Sequence, residues 1–167
     1  MKRITINNIL CAIFMLVFFA SCSYSSEYPI EDQGLPIKSE ILGKWTQDAG
    51  VTPDYITISK LNDTQYDIKR FAFDTQDSSY KEQSSYKSHL SNLQGTLFMN
   101  MESGGQYIFK KLVISSNKLV FSSVTSNIDE EFTNSEDLKA FFLKNKDLSF
   151  FYNEGDEIYK RSDDTQQ

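Results

Sequence analysis

Apolar and polar positions alternate along most of the chain from Ile41 onward, in short runs separated by polar turns. Ile56 and Ile58, for example, alternate with Tyr55 and Thr57. A period of two residues is typical of strands that bury one face. Similar runs follow at 65–73, 97–101, 107–114, 119–124 and 158–160. The pattern predicts a mainly β protein, an antiparallel meander that closes into a small β-barrel.

Two local features refine this meander. In Gln65–Phe73 the apolar positions change from even to odd numbers after Ile68, which predicts a bulge near Arg70. Near the end of the chain, Phe150–Tyr152 and Ile158–Lys160 flank a polar turn that contains Gly155. This arrangement predicts a last β-hairpin.

One segment has the period of a helix instead. Thr133 and Glu136 have the spacing of a capping box, in which Thr133 caps the helix and Glu136 reaches back. Three apolar side chains then share one face: Leu138, Phe141 and Phe142. This predicts a helix over about 134–145, before the last hairpin, that plugs one mouth of the barrel or covers one face of the sheet.

The start of the chain has the pattern of an export signal. Two basic residues precede an apolar run of 12 residues, Ile9–Ala20, whereas a membrane-spanning helix needs about 20. The run ends in Phe19-Ala20-Ser21-Cys22, which resembles the lipobox of bacterial lipoproteins. The resemblance implies removal of residues 1–21 and attachment of palmitate-type acyl chains to Cys22. The alternative is an ordinary secretory signal that leaves Cys22 as a free thiol.

Composition divides the rest of the chain. Residues 22–39 are rich in Ser and acidic residues, which predicts a flexible tether, while 40–162 form the barrel domain and 163–167 a disordered tail. Ser23 rather than Asp follows Cys22, which by the commonest sorting rule for such lipoproteins implies the outer membrane of a Gram-negative envelope. An acidic patch directly after the cysteine resembles a signal for display on the outer face of that membrane. Here the patch is weak, because Glu27 is the first acidic residue after the cysteine, so the choice of leaflet stays open.

Charge narrows the range of partners. Removal of residues 1–21 reduces the 17 basic residues to 15 against 23 acidic residues, a formal net charge of −8. An acidic chain argues against nucleic-acid binding. The partners expected are the membrane, through the anchor on Cys22, and a small apolar ligand or another envelope protein.

Gly43-Lys44-Trp45 resembles the Gly-x-Trp motif that opens the first strand of lipocalins. The resemblance implies a lipocalin-like barrel whose floor is closed by Trp45. It also implies that a basic residue late in the last strand, here Arg161, stacks on this tryptophan. The chain departs from the lipocalin pattern because its helix precedes the last hairpin and the lipocalin cysteines are missing.

The sequence carries no motif for catalysis. His89 is the only histidine, so a metal site with two histidines is excluded, and it is interpreted as a strand or turn residue. Asp129-Glu130-Glu131 lacks the spacing and the glycine of a calcium-binding EF-hand loop. We therefore expect no enzymatic activity, no cofactor and no metal.

Two functions remain. In the first, the barrel holds a small apolar or amphipathic ligand against aromatic side chains. The residues predicted to line this site are Tyr66, Phe71, Phe73, Tyr86, Tyr107 and Phe109. In the second, the interior is filled and the protein acts through its outer surface as an interaction or accessory module of the envelope. The volume of the interior separates the two hypotheses.

Overall fold

The structure, a computed structural model, describes residues 23–48 and 50–162. The predicted signal peptide 1–21, Cys22 and the predicted tail 163–167 lie outside the described residues. The strands are β1 (Ser25–Ser26), β2 (Gly43–Gln47), β3 (Tyr55–Lys60), β4 (Gln65–Asp74), β5 (Ser79–Leu93), β6 (Thr96–Ser103), β7 (Gln106–Ser115), β8 (Lys118–Ser123) and β9 (Glu157–Arg161). The helix α1 is Ser135–Asn145, and 3₁₀ helices lie at Ser39–Ile41 and Ser149–Phe151.

Strands β2 to β9 form a closed barrel. Each pairs antiparallel with the next along the chain, and β9 pairs back with β2, which closes a ring of eight strands. Such closure pairs the strand edges that an open sheet would expose. The prediction of a mainly β antiparallel barrel, with one helix before the final strand, is confirmed. The arrangement is compatible with a lipocalin-like barrel.

Alternate side chains of each strand fill the interior. Ile56 and Ile58 of β3 point inward and are buried, as the two-residue period predicts. They belong to one buried cluster whose largest members are Trp45, Tyr66, Met99, Phe121 and Tyr159. This cluster is the core of the barrel.

A bulge lies where the sequence predicts it, but its extra residue is on the neighbouring strand. Arg70 pairs with Ser84 and Phe71 with Glu82, so the additional residue is Gln83 of β5. The alternation of β4 itself continues unchanged. Because Arg70 faces the interior, Phe71 lies on the outer side of the barrel.

The last hairpin differs from the prediction in its first arm. Ser149–Phe151 is a 3₁₀ helix, and Tyr152 forms only a single bridge with Val124. The final strand, β9, pairs with β8 and β2 instead. The tight turn places both Phe151 and Tyr152 in one outer cluster and leaves Phe150 exposed. A regular strand through Phe150–Tyr152 would point Phe151 and Tyr152 to opposite faces of the sheet.

The helix α1 covers the outer face of the barrel, which is one of the two predicted placements. Leu138 and Phe142 are buried in a second cluster outside the barrel. The predicted cap is wrong by one residue, because Asn134 rather than Thr133 accepts the hydrogen bond of the first turn, from the backbone N–H of Asp137 at 2.8 Å. Asn is at least as good an N-cap as Thr, so the shift has no energetic cost.

The segment 23–38 packs along the barrel, whereas its composition predicts a flexible tether. Ser25–Ser26 pairs with β7. Ile30 is fully buried, and its N–H donates to Oδ1 of the buried Asn100 at 2.8 Å. A few well-placed apolar anchors therefore order a segment whose average composition is polar.

Candidate functional site

One end of the barrel is closed by Trp45 and Arg161. Trp45 is fully buried, and its Nε1–H donates to the carbonyl of Ile41 at 2.9 Å. The guanidinium carbon of Arg161 lies 4.2 Å from the centroid of the Trp45 ring, and its Nη1 donates to the carbonyl of Leu42 at 3.0 Å. The stacking that the Gly-x-Trp resemblance implies is present. We call this end the floor.

A small cavity lies between the inner faces of the strands, toward the other end of the barrel. Its volume is about 50 Å³. Ligand pockets usually measure about 300–1,000 Å³, whereas 50 Å³ admits a few water molecules. The polar side chains that line it are Arg70, Ser84, Tyr86, Lys110, Glu157 and Tyr159.

The charged groups of this cavity are paired with one another or with Asp54, the residue before β3. Nη2 of Arg70 donates to Oδ2 of Asp54 at 2.9 Å. Lys110 forms an ion pair with Glu157, which also accepts a hydrogen bond from the hydroxyl of Tyr159 at 3.2 Å. The cavity therefore contains a satisfied network of charges.

Burial controls how these groups ionise. It raises the pKa of Tyr159, and the nearby carboxylate of Glu157 raises it further, so the phenol stays protonated and able to donate. Burial alone would lower the pKa of Arg70. The hydrogen bond to Asp54 and the neighbouring Tyr159 and Glu157 outweigh this effect and leave that pKa raised.

Two of the six residues predicted to line a ligand site lie inside the barrel. Tyr86 borders the cavity. Tyr66 is fully buried in the core, and its hydroxyl accepts a hydrogen bond from the backbone N–H of Lys38 at 2.8 Å. Tyr66 therefore holds the segment that precedes the floor.

The other four predicted residues lie outside the barrel. Phe71 stacks on Tyr55 with 4.7 Å between ring centroids, and Phe73 meets Tyr80 edge to face at 5.2 Å. The remaining two, Tyr107 and Phe109, belong to the outer cluster beneath α1. The structure does not bring the six residues together into one lining.

The charged residues of the cavity were not among the sequence predictions. Arg70 shares the even-numbered face of β4 with Tyr66 and Ile68, so the two-residue period contained the signal. Lys110 carried no comparable signal, because both faces of β7 are apolar: Ile108 and Leu112 point into the barrel, whereas Tyr107 and Phe109 belong to the outer cluster. Glu157 carried none because it is the first residue of the short strand β9.

His89 lies in β5 and has a structural role. It is buried on the outer face of the barrel, where its Nε2 lies 2.8 Å from the carbonyl oxygen of Glu31 and donates to it. Gly34 packs against His89, and a larger residue would clash there, because a Cβ at position 34 would lie 2.6 Å from the Cβ of His89. Burial lowers the pKa of His89, against the weaker opposing effect of the Glu31 carbonyl.

Within residues 23–48 and 50–162, no group of three or more His, Cys, Asp or Glu side chains could hold a metal ion. Among the same residues, every helix is too short or too polar to cross a membrane.

The fold and the cavity define a closed, eight-stranded, antiparallel barrel with a sealed floor, an almost filled interior and a helix on its outer face. Comparison of the chain with protein-family models, curated proteins and solved structures found no match.

Proposed function

We propose that the mature protein is a noncatalytic, lipid-anchored protein of the Gram-negative outer membrane. Its lipocalin-like barrel is a packed scaffold that acts on envelope partners through its outer surface. The observation that supports this proposal is the interior volume of about 50 Å³, several times less than a small-molecule pocket needs. The mutual pairing of the cavity charges supports it as well.

The anchor is the first part of the proposal to test. Acyl chains on Cys22 provide stable attachment, since each buried CH₂ contributes about 0.8 kcal/mol. The Cys22→Ser protein should move from the detergent phase to the aqueous phase in Triton X-114 partitioning. Cys11→Ser changes a residue of the predicted signal and should leave the partitioning of the mature protein unchanged. A Cys22→Ser protein that has lost residues 1–21, as shown by its mass, and still stays in the detergent phase contradicts the anchor.

Carriage of a small amphipathic ligand is the second candidate. It is favoured by Arg70, Ser84, Tyr86 and Lys110, which border the cavity and would hold a polar headgroup. A ligand tail would have to displace the core residues around Met101.

Titration of the mature chain, residues 22–167 with Cys22→Ser, with the fluorescent probe N-phenyl-1-naphthylamine separates the two candidates. A filled barrel gives no saturable increase in fluorescence. A saturable increase that Ser84→Phe abolishes, and that Ser85→Phe leaves intact, would favour carriage. Ser84 borders the cavity, whereas Ser85 lies on the outer face and contacts Asp67.

A further inference from the structure

The chain is attached to the barrel from the first described residue onward. Ser23 forms an antiparallel bridge with Thr125, and the N–H of Tyr24 donates to the carbonyl of Val124 at 3.2 Å. The side chain of Tyr24 is buried in the outer cluster. Cys22 is the next residue along the chain, and adjacent Cα atoms are about 3.8 Å apart. The residue that follows the predicted acylation site is therefore held at the surface of the barrel.

Exposed apolar side chains lie next to the residue that pairs with the other edge of Thr125. The N–H of Thr125 donates to the carbonyl of Phe151 at 3.0 Å, so Ser23 and Phe151 flank Thr125 on its two edges. Two strand spacings separate such neighbours, which is about 10 Å. Next to the buried Phe151, Phe150 is 73% exposed and Leu148 is 37% exposed.

Lysine and tyrosine side chains border Leu148. The Nζ of Lys111 lies 4.4 Å from the centroid of the Tyr152 ring. Lys111, Tyr152 and Leu148 line one shallow depression on the surface. Aromatic rings beside lysines are typical of protein surfaces at a membrane interface, where the rings lie at headgroup level and the cations reach phosphates.

We propose that the barrel lies directly on the bilayer through this surface, which we call the anchor face: Ser23, Lys111, Leu148, Phe150 and Tyr152. Phe150 and Leu148 enter the lipid interface beside the acyl chains of Cys22. The inference rests on the proposed lipid anchor. The occupant is a bilayer because the backbone of Ser23, the residue after the predicted acylation site, lies about 10 Å from that of Phe151, and Phe151 adjoins the exposed Phe150. The barrel is then seated on the membrane, not held away from it.

The acidic loop beside the anchor face indicates the kind of lipid. The hydroxyl of Tyr24 donates to the carbonyl of Glu130 at 3.3 Å, which places Glu130 and Glu131 at the border of this face. Carboxylates there would be repelled by anionic headgroups. Zwitterionic vesicles are therefore the appropriate membrane for the test.

A nitroxide label measures whether position 150 enters the lipid. The lipidated protein carries Phe150→Cys or Leu61→Cys in vesicles of phosphatidylethanolamine and phosphatidylcholine. Leu61 is the matched control, because it is 48% exposed and follows β3, four strands from β7 around the ring. At position 150 we expect collisions with oxygen to rise and collisions with a water-soluble nickel chelate to fall, relative to position 61.

The outcomes separate this inference from the proposed anchor. A label at position 150 as accessible to nickel as the label at position 61, in protein bound to vesicles, overturns the anchor face and leaves the anchor standing. Failure of the protein to remain on vesicles, with an unmodified Cys22 by mass spectrometry, overturns both.

Transfer between vesicles gives a second readout that needs no label. Loss of an inserted phenylalanine should speed transfer of the lipidated Phe150→Ser protein by roughly 10- to 150-fold, because burial of such a side chain is worth about 1.5–3 kcal/mol. Leu61→Ser should transfer at the rate of the unmodified protein. Equal rates for both variants would contradict the anchor face.

Discussion

Trp45 and Arg161 join the first and last strands of the barrel. Trp45 has no exposed surface, and Arg161 both stacks on its ring and pairs with it in the β2–β9 register. Trp45 lies in β2, which pairs with β3 on one side and with β9 on the other, so it stands where the first and last strands of the barrel meet. Its removal leaves a cavity where the ring of strands is joined.

Replacement of Trp45 with Ala should lower the free energy of unfolding by about 3–5 kcal/mol. Urea denaturation measures this change. Val113→Ala is the control, because Val113 is exposed on the outer side of β7 and its loss should cost less than about 0.5 kcal/mol. A Trp45→Ala midpoint equal to that of the unmodified protein would show that the floor does not support the fold.

His89 should make stability depend on pH. Burial holds its folded-state pKa below the unfolded value of about 6.5. As the pH falls below about 6.5, the unfolded chain binds a proton that the folded protein binds less readily, so stability declines by up to about 1.4 kcal/mol per unit.

The measurement is the urea midpoint at pH 7.5 and pH 5.5, for the unmodified protein and for His89→Gln. The unmodified protein should lose more stability between these values than the variant does. Equal losses would mean that the histidine does not contribute.

The positions of single aromatic residues were the hardest part to predict. Hydrophobicity alone places Phe71 and Phe73 in the core, but each is partly covered on the outer face by Tyr55 or Tyr80. These contacts depend on which strands are neighbours and in what register. A single sequence contains the period of a strand but not the identity of its partner.

At the level of elements, β5 shows where the sequence pattern fails. It is the longest strand, 15 residues, yet the half from Ser79 to Tyr86 is rich in Ser, Lys, Glu and Gln. These residues have low intrinsic preference for strands. The strand forms because β4 supplies partners along the whole hairpin, from Gln65↔His89 to Asp74↔Ser79. Pairing overrides local preference here.

The cap of α1 gives a prediction for this element. Asn134→Ala should lower stability by about 0.5–2 kcal/mol, because it removes the acceptor for the N–H of Asp137. Thr133→Ala is the matched control and should change stability little, since Thr133 lies one residue before the cap. Thermal melts compare the two variants. A larger loss for Thr133→Ala would restore the capping box that the sequence pattern predicts.

The molecule as a whole has two apolar cores on the two sides of one sheet. The inner core fills the barrel, and the outer core lies between the barrel and α1. Phe142 illustrates the second, with edge-to-face contacts to Phe98 at 5.3 Å and Phe109 at 5.0 Å. The aromatic content that suggested a ligand lining is therefore largely used to attach the helix and the N-terminal segment. Composition alone does not separate these uses.

Native mass spectrometry tests the filled barrel most directly. The mature chain, residues 22–167 with Cys22→Ser, is exported behind a cleavable secretory signal and purified from the periplasm of its own host, and the folded mass is compared with the mass after denaturation and lipid extraction. We predict the same mass in both, because about 50 Å³ does not hold a lipid or comparable ligand. A stoichiometric excess of defined mass, lost on denaturation, would contradict the packed scaffold and establish a carrier.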